Sequence, residues 1–242
     1  MKTKVISVWS GPRNISTALM YAFAQRKDTL VVDEPLYAHY LLHSDTKHPA
    51  ENEVLATQEN DGNKVIQNLL DDNFCDLPVL FLKQMAHHLI ALDQNFLSKM
   101  TNVLLIREPK AVIHSFAKVI KAPKLSDIGI KRQYEMYEIF AKMGQNVPII
   151  DSAEVLKNPA LVLQKLCEQI NIPFTEKMLS WEKGARKEDG VWAKYWYANV
   201  HQSTGFKKYE PKHIDLDKKM MPLYAESLPF YEFLYEKAIK VV

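Results

Sequence analysis

At 242 residues, 47% hydrophobic and 25% charged, the chain is long enough for a full α/β domain and too apolar for a disordered tail, and it reads as one domain over residues 1–242. Its 31 basic and 29 acidic residues give a net charge of +2, which carries no strong signal for nucleic acid. Cys75 and Cys167 are too far apart for a disulfide framework, the 8 histidines lack metal-site spacing, and no apolar run reaches the length of a signal-peptide core or a membrane span, so a cytoplasmic protein with reduced thiols is expected.

Lys4–Trp9 is a short apolar run that reads as a strand. It breaks at Gly11-Pro12. Apolar residues then return at helical spacing as Ile15, Leu19 and Phe23, which predicts a helix over about Ser16–Arg26. A helix N-terminus offers unpaired amides and the positive end of a dipole, so this turn suits an anion. Arg13 adds a fixed charge, and Ser16 and Thr17 add hydroxyls. The turn is not the ATP/GTP loop G-x-x-x-x-G-K-[ST]: counted from Gly11, Ser16 replaces the second glycine and Thr17 the lysine.

Thr29–Val32 reads as a second strand ending at Asp33-Glu34-Pro35, with Pro35 forcing an extended backbone at Glu34. Leu36–Ser44 reads as a short helix or lid carrying Tyr37, His39, Tyr40 and His43. Lys47–Asn63 is a polar excursion with a short helix, and Val65–Asp72 is helical. Pro78–Leu82 is a continuous apolar run, the mark of a strand buried on both faces, with Lys83 at its end and His87 and His88 just beyond. Asn102–Ile106 is the next such strand, followed at once by Arg107-Glu108-Pro109. Pro109 suits the first helical position, and Val112, Ile113, Phe116, Val119 and Ile120 give that helix one apolar face. A longer helix is expected from about Ser126 to Gly144, then a strand over Val147–Ile150 ending at Asp151. Helices follow at about Pro159–Ile170 and Glu176–Leu179. Trp181–Tyr209 is an aromatic, basic loop with a short helix, and the tail from Asp215 to Lys240 is helical in two pieces broken near Pro229.

Alternation of this kind predicts one parallel sheet with helices on both faces. Ligands of such sheets sit beyond the carboxyl ends of the strands. Those ends carry the Gly11–Thr17 turn, Asp33-Glu34, Lys83, Arg107 and Asp151. Strands end where water begins, so some charge is expected there. That accounts less well for an arginine set directly before a proline-initiated helix.

Gly11-Pro12-Arg13-Asn14-Ile15-Ser16-Thr17 resembles the 5′-phosphosulfate loop of sulfotransferases that use 3′-phosphoadenosine 5′-phosphosulfate (PAPS), in the style of the carbohydrate and tyrosylprotein enzymes; Asn14 and Ile15 depart from the Ser-Gly of that pattern. Leu104–Ser115 resembles their 3′-phosphate segment, matching at Arg107, Pro109, Lys110, Ala111-Val112 and Ser115, with Glu108 departing. Val32–Leu36 resembles their Glu-Pro segment. Ile149–Pro159 and Ile172-Pro173-Phe174 are similar to later steps of the same pattern.

The resemblance implies an α/β, three-layer P-loop NTPase-like domain with a central parallel sheet and helices on both faces. It implies PAPS as co-substrate, no metal, and a sulfuryl transfer to a small-molecule hydroxyl or amine. Gly11, Pro12, Arg13, Asn14, Ile15, Ser16 and Thr17 would hold the 5′ side, and Arg107 and Ser115 the 3′-phosphate. Lys194, in the part of the chain where relatives close the site, is a further cofactor-binding candidate. Glu34 would take the acceptor proton, Arg13 would neutralise charge on the leaving group, and His87, or His88 beside it, is the next candidate for proton transfer. No nucleic-acid or membrane partner is implied, and the oligomeric state is not readable. Two alternatives stand beside this: a P-loop nucleotide kinase or hydrolase, against which the missing lysine counts, and a PAP- or nucleotide-binding protein of the same fold without turnover.

Overall fold

The computed structural model describes residues 2–45, 48–117, 123–211 and 213–241. Its centre is a five-stranded, all-parallel sheet in the order β2-β3-β1-β4-β5, built from β1 (Lys4–Ser10), β2 (Thr29–Asp33), β3 (Val79–Met85), β4 (Thr101–Ile106) and β5 (Ile149–Asp151). The helices are α1 (Ser16–Ala24), α2 (Tyr37–His43), α3 (Glu51–Thr57), α4 (Gly62–Leu69), α5 (Pro109–Phe116), α6 (Leu125–Ile128), α7 (Ile130–Lys142), α8 (Ser152–Lys157), α9 (Pro159–Gln169), α10 (Ala193–Trp196), α11 (Ala198–His201) and α12 (Met221–Glu236).

Side chains alternate across a strand, so each strand feeds two cores. Leu80, Leu82, Leu104 and Ile106 face one side, with α4, α5, α7 and α12 packed on them. Ile6, Val8, Phe81, Val103 and Leu105 face the other, with α1 and α9. This is the three-layer α/β arrangement expected from the sequence. A third cluster joins Tyr37, Tyr40 and Leu41 of α2 to Trp192, Ala193 and Tyr197, so the 181–209 segment lies over α2. Among the described residues no helix is long and apolar enough to cross a membrane.

Four expectations change. The helix expected over Ser126–Gly144 is two helices, α6 and α7, because Gly129 between them has φ +76°. There the joint touches the Gly11 turn: a Cβ on Gly129 would stand 3.1 Å from the Gly11 Cα and 3.3 Å from the Pro12 Cδ. The tail does not break at Pro229, which lies inside continuous α12. Packing outweighs the missing amide: the Phe230 and Phe233 rings lie 5.3 and 5.1 Å from that of Tyr134, and Tyr231 and Leu234 are buried. Glu34 is not extended but left-handed, with φ +42°. Asp151 does not reach the rim. It is fully buried, caps α8 by accepting from the Ala153 and Glu154 amides, and accepts from the Tyr231 hydroxyl at 3.2 Å. Of the apolar face expected on α5, Val119 and Ile120 lie outside the described residues.

Gly129→Ala is expected to destabilise the protein by about 1–2 kcal/mol, the usual cost of a side chain in left-handed backbone, read as a lower urea midpoint. Because the added methyl presses on the Gly11 turn, anion binding there is expected to weaken as well.

Candidate active site: an anion turn beside a buried lysine

A cleft of about 1460 Å³ opens at the carboxyl ends of the strands. Its two ends are built on opposite electrostatics.

One end is the Gly11–Thr17 turn between β1 and α1, with the start of α5 after the neighbouring strand β4. Ile15 stands at the N-cap of α1 and no side chain caps that helix. By contrast, Asp61, Glu108, Asp151 and Asn158 cap α4, α5, α8 and α9. The first turn of α1 therefore presents uncapped amides, and Ser16, Thr17 and Ala18 line the cleft. Both departures from the sulfotransferase patterns that the structure bears on have local reasons. Asn14 pins the turn to the sheet, donating to the Leu105 carbonyl at 3.0 Å and accepting from the Ile15 amide at 2.8 Å. Glu108 accepts from the Lys110 and Ala111 amides at 3.0 and 2.8 Å and so starts α5.

The two phosphate-type segments meet. The Arg13 Nε donates to the Ser115 hydroxyl at 3.1 Å, and the Arg107 guanidinium donates to the Arg13 carbonyl. Arg13 itself has φ +55°. Neither guanidinium forms an ion pair with a carboxylate among the described residues. Burial, then the neighbouring Arg13, pushes Arg107 below the usual arginine range. Two converging cations with no ion pair to a carboxylate among the described residues, beside an uncapped helix start, suit a polyanion.

The other end centres on Lys83. Parallel register sets Asp33 of β2 directly beside Lys83 of β3. The Lys83 ammonium donates to Asp33 Oδ1 at 2.8 Å, to the Tyr197 hydroxyl at 2.7 Å, and to Glu34 Oε1. Its side chain is 2% exposed. Burial alone would lower it, but Asp33, Glu34 and Tyr197 outweigh burial and hold it well above the usual lysine range. Burial, against the pull of Lys83, raises Glu34 above the usual carboxylate range. The left-handed turn at Glu34 is fixed on both sides: its amide donates to the Lys83 carbonyl at 2.8 Å, and its carbonyl accepts from Tyr37 and Gln58.

Around this pair stand rings. His88 is 1% exposed and lies between Tyr37 and Tyr40, with ring centroids 4.8 and 4.7 Å away. Its Nε2 is 3.9 Å from Glu34 Oε2. His87 meets Tyr40 edge-on at 5.0 Å and also lines the cleft. Burial pushes His87 down to about 3 and His88 well below the usual histidine range, so both rings are neutral.

Glu34, Arg13, His87, Arg107, Ser115 and the whole Gly11–Thr17 turn are thus brought to one cleft. His88 rather than His87 faces Glu34. Lys194 is not brought there: it is exposed, 2.7 Å from both Glu53 carboxylate oxygens, while Lys207 lines the cleft. Sequence reasoning missed Tyr197, whose hydroxyl joins Lys83 to Asp33 and accepts from the Trp192 indole at 3.1 Å. The available signal was only its place in the Trp192–Tyr197 aromatic run. Among the described residues no group of acidic, histidine or cysteine side chains could hold a metal ion.

A parallel three-layer sheet with an anion turn after its central strand defines a P-loop-like α/β class. A sulfotransferase domain family model matches residues 3–238, and the chain belongs to that family. Two Arabidopsis thaliana proteins named branched-chain-amino-acid aminotransferase-like protein 1 and 2 are 38% and 37% identical to it over 229 residues. The match takes in 91% of this chain but 41% of each relative, so the chain spans about two fifths of their length. Among solved structures, the sulfotransferase domain from the curacin biosynthetic pathway covers 99% of both chains with a TM-score of 0.57 at 17% identity. A sulfotransferase from Alicyclobacillus acidocaldarius covers 100% of this chain and 98% of its own, with a TM-score of 0.55 at 8% identity. Both share the fold.

Lys83→Met leaves Asp33 and Glu34 buried without their cation. Removing one partner of a buried pair costs about 3–5 kcal/mol. Unpaired buried carboxyls have folded pKa values above their unfolded ones, so they oppose folding at neutral pH and cease to do so once protonated. Urea unfolding is therefore expected to show a gap between parent and variant of that size at neutral pH, narrowing as pH falls towards the carboxylate range. A gap independent of pH would assign Lys83 a packing role.

Proposed function

We propose that the protein is a sulfotransferase that moves a sulfuryl group from PAPS to the hydroxyl of a small acceptor, with Glu34 as the base. The observation that carries the reading is the meeting of Arg13, Arg107 and Ser115, with neither cation in an ion pair among the described residues, beside the uncapped start of α1.

The residues fit the donor. The α1 amides, Arg13, Ser16 and Thr17 suit its 5′ side, and Arg107 with Ser115 suits a 3′-phosphate. PAPS supplies the activated sulfuryl group. Arg13 and the α1 amides offset the negative charge that builds as the sulfur–oxygen bond to the nucleotide breaks. Glu34 takes the hydroxyl proton as the acceptor oxygen bonds to sulfur. Its raised proton affinity brings it nearer neutral pH, which suits a base. Lys83 holds Oε1 of Glu34, whose side chain lines the cleft, and Oε2 stands 3.9 Å from His88 Nε2. A carboxylate facing an incoming sulfonate is repelled, and the ammonium behind it reduces that repulsion.

Arg107→Ala is expected to weaken PAP by roughly 1.5–3 kcal/mol, the worth of a charge-assisted contact. Adenosine 5′-phosphosulfate, which lacks the 3′-phosphate, should bind it almost as it binds the parent. Calorimetric titration of both ligands checks this, and equal weakening would make Arg107 structural.

Glu34→Gln keeps the shape and removes the basicity. It is expected to bind PAP at least as well as the parent and to transfer sulfate from labelled PAPS about 10²–10⁴-fold more slowly. Near-parental turnover would move the base elsewhere, with His88 next to be changed.

A further inference from the structure

We propose that the acceptor is an alcohol carrying a positive charge, with its hydroxyl held between Glu34 and His88 and its cation in the part of the cleft lined by aromatic rings, Trp196 among them. The proposal rests on the sulfotransfer reading above and names the substrate class of that same cleft.

Glu34 Oε2 and His88 Nε2 stand 3.9 Å apart. One oxygen atom can sit about 2.8 Å from each, within hydrogen-bond distance of both. The His88 ring has no room to turn away, held between Tyr37 and Tyr40 with interplanar angles of 16° and 24°. Its Nδ1 is buried without a hydrogen-bond partner among the described residues. A proton there would be an unsatisfied buried donor, whereas on Nε2 it faces a carboxylate, so the Nε2–H tautomer is favoured. An acceptor hydroxyl placed between the two then donates to Glu34 and accepts from His88. That leaves its proton on the path to the base and one lone pair for the sulfur.

Charge sets the rest. With Glu34 ionised, as a base must be, Asp33 and Glu34 oppose the single ammonium of Lys83, and the cluster carries one net negative charge. Lys83 and Asp33 are the charged groups that act on Glu34; Lys124, Lys131 and Lys207 also line the cleft. His87, His88 and His48 are all held down by burial, and Tyr197 is held well above the usual phenol range. The Arg132 guanidinium, which also lines the cleft, is committed to Glu135 at 3.2 Å and to the Leu89 carbonyl at 2.9 Å. The cleft lining also includes four aromatic rings: Tyr37, Tyr40, Trp192 and Trp196. An anionic acceptor would meet uncompensated like charge. A neutral one would leave the charge unpaired in a desolvated site. An ammonium gains from both the carboxylates and the ring quadrupoles.

The test uses the whole protein saturated with PAP and three probes titrated by calorimetry. These are 2-hydroxyethyl-trimethylammonium, its uncharged carbon isostere 3,3-dimethylbutan-1-ol, and the anionic 3-hydroxypropanoate. The cation is expected to bind about tenfold more tightly than the isostere, in line with a partly desolvated cation–ring contact, and the anion more weakly than either. Glu34→Gln should erase much of the preference between cation and isostere. His88→Phe, which keeps the ring stack and removes the Nε2–H, should weaken both alcohols alike and leave their ratio unchanged. An isostere or anion that binds as tightly as the cation overturns the proposal, as does absence of cation binding at millimolar concentration. A His88→Phe variant with parental affinities overturns the hydroxyl placement. If PAP itself does not bind in the first titration, the sulfotransfer reading fails and takes this inference with it; if PAP binds and only the probe order fails, that reading stands.

Discussion

The Lys83 ammonium is the interaction on which both chemistry and cover depend. It sits under the cleft floor on β3, with three donors and three oxygens to receive them. Through Glu34 it holds a left-handed residue that otherwise favours a different backbone. Through Tyr197 it reaches a residue 114 positions later, and Tyr197 in turn receives the Trp192 indole. Taking an ammonium and two carboxylates out of water costs several kcal/mol per ion before their attraction returns it. Such a cluster is a poor way to gain stability over an apolar core. It is a good way to fix where one carboxylate oxygen points.

The far end of the cleft follows the opposite logic. There Arg13 and Arg107 converge with no ion pair among the described residues, and a helix start is left uncapped beside them. An in-line group transfer needs such a division. In the proposed transfer the leaving side gains negative charge and would meet Arg13 and the α1 amides, while the attacking side would lose a proton to a carboxylate. Strand order produces the division directly. β1 and β4 are neighbours and deliver the turn and Arg107, while β3 and β2 lie on the other side of β1 and deliver Lys83 and Glu34. The two charges are therefore separated by the width of the central strand and open into the same cleft.

Much of the anion end was legible because its chemistry is local. Gly11-Pro12-Arg13 and Arg107-Glu108-Pro109 each place a turn, a charge and a helix start within a few residues, and the buried strands announce themselves as apolar runs. The Lys83 end was only half legible. Glu34 and Lys83 could be placed at strand ends, yet their pairing depends on the register of β2 against β3, which no local pattern encodes. Tyr197 and Trp192 reach the site only through the tertiary path of the 181–209 segment. The same cause explains Lys194: the loop was found, but which face of a four-residue helix looks inward is decided by Trp192 and Tyr197 filling the space over α2. Pro229 and Gly129 show the reverse errors. Packing overrode a local breaker in α12, and contact with the Gly11 turn broke a helix that periodicity had joined.

The covering segment is fastened by the same groups that position Glu34. Asp33 Oδ2 accepts from the Tyr197 hydroxyl at 2.7 Å and from the Gly190 amide at 3.2 Å, while its other oxygen holds Lys83. One position further back, Asp189 accepts from the Tyr21 hydroxyl of α1 at 2.6 Å and pairs with His201 at 2.9 Å. The segment is thus tied to α1, which starts at the anion turn, and to Asp33, which borders Glu34. A displacement of this segment would therefore disturb Lys83 and Glu34 through Tyr197, as well as uncovering the rings of α2. Positioning of Glu34 and packing of the 181–209 segment over α2 are one structural event in this fold, because a single buried ion and its two carboxylates serve both.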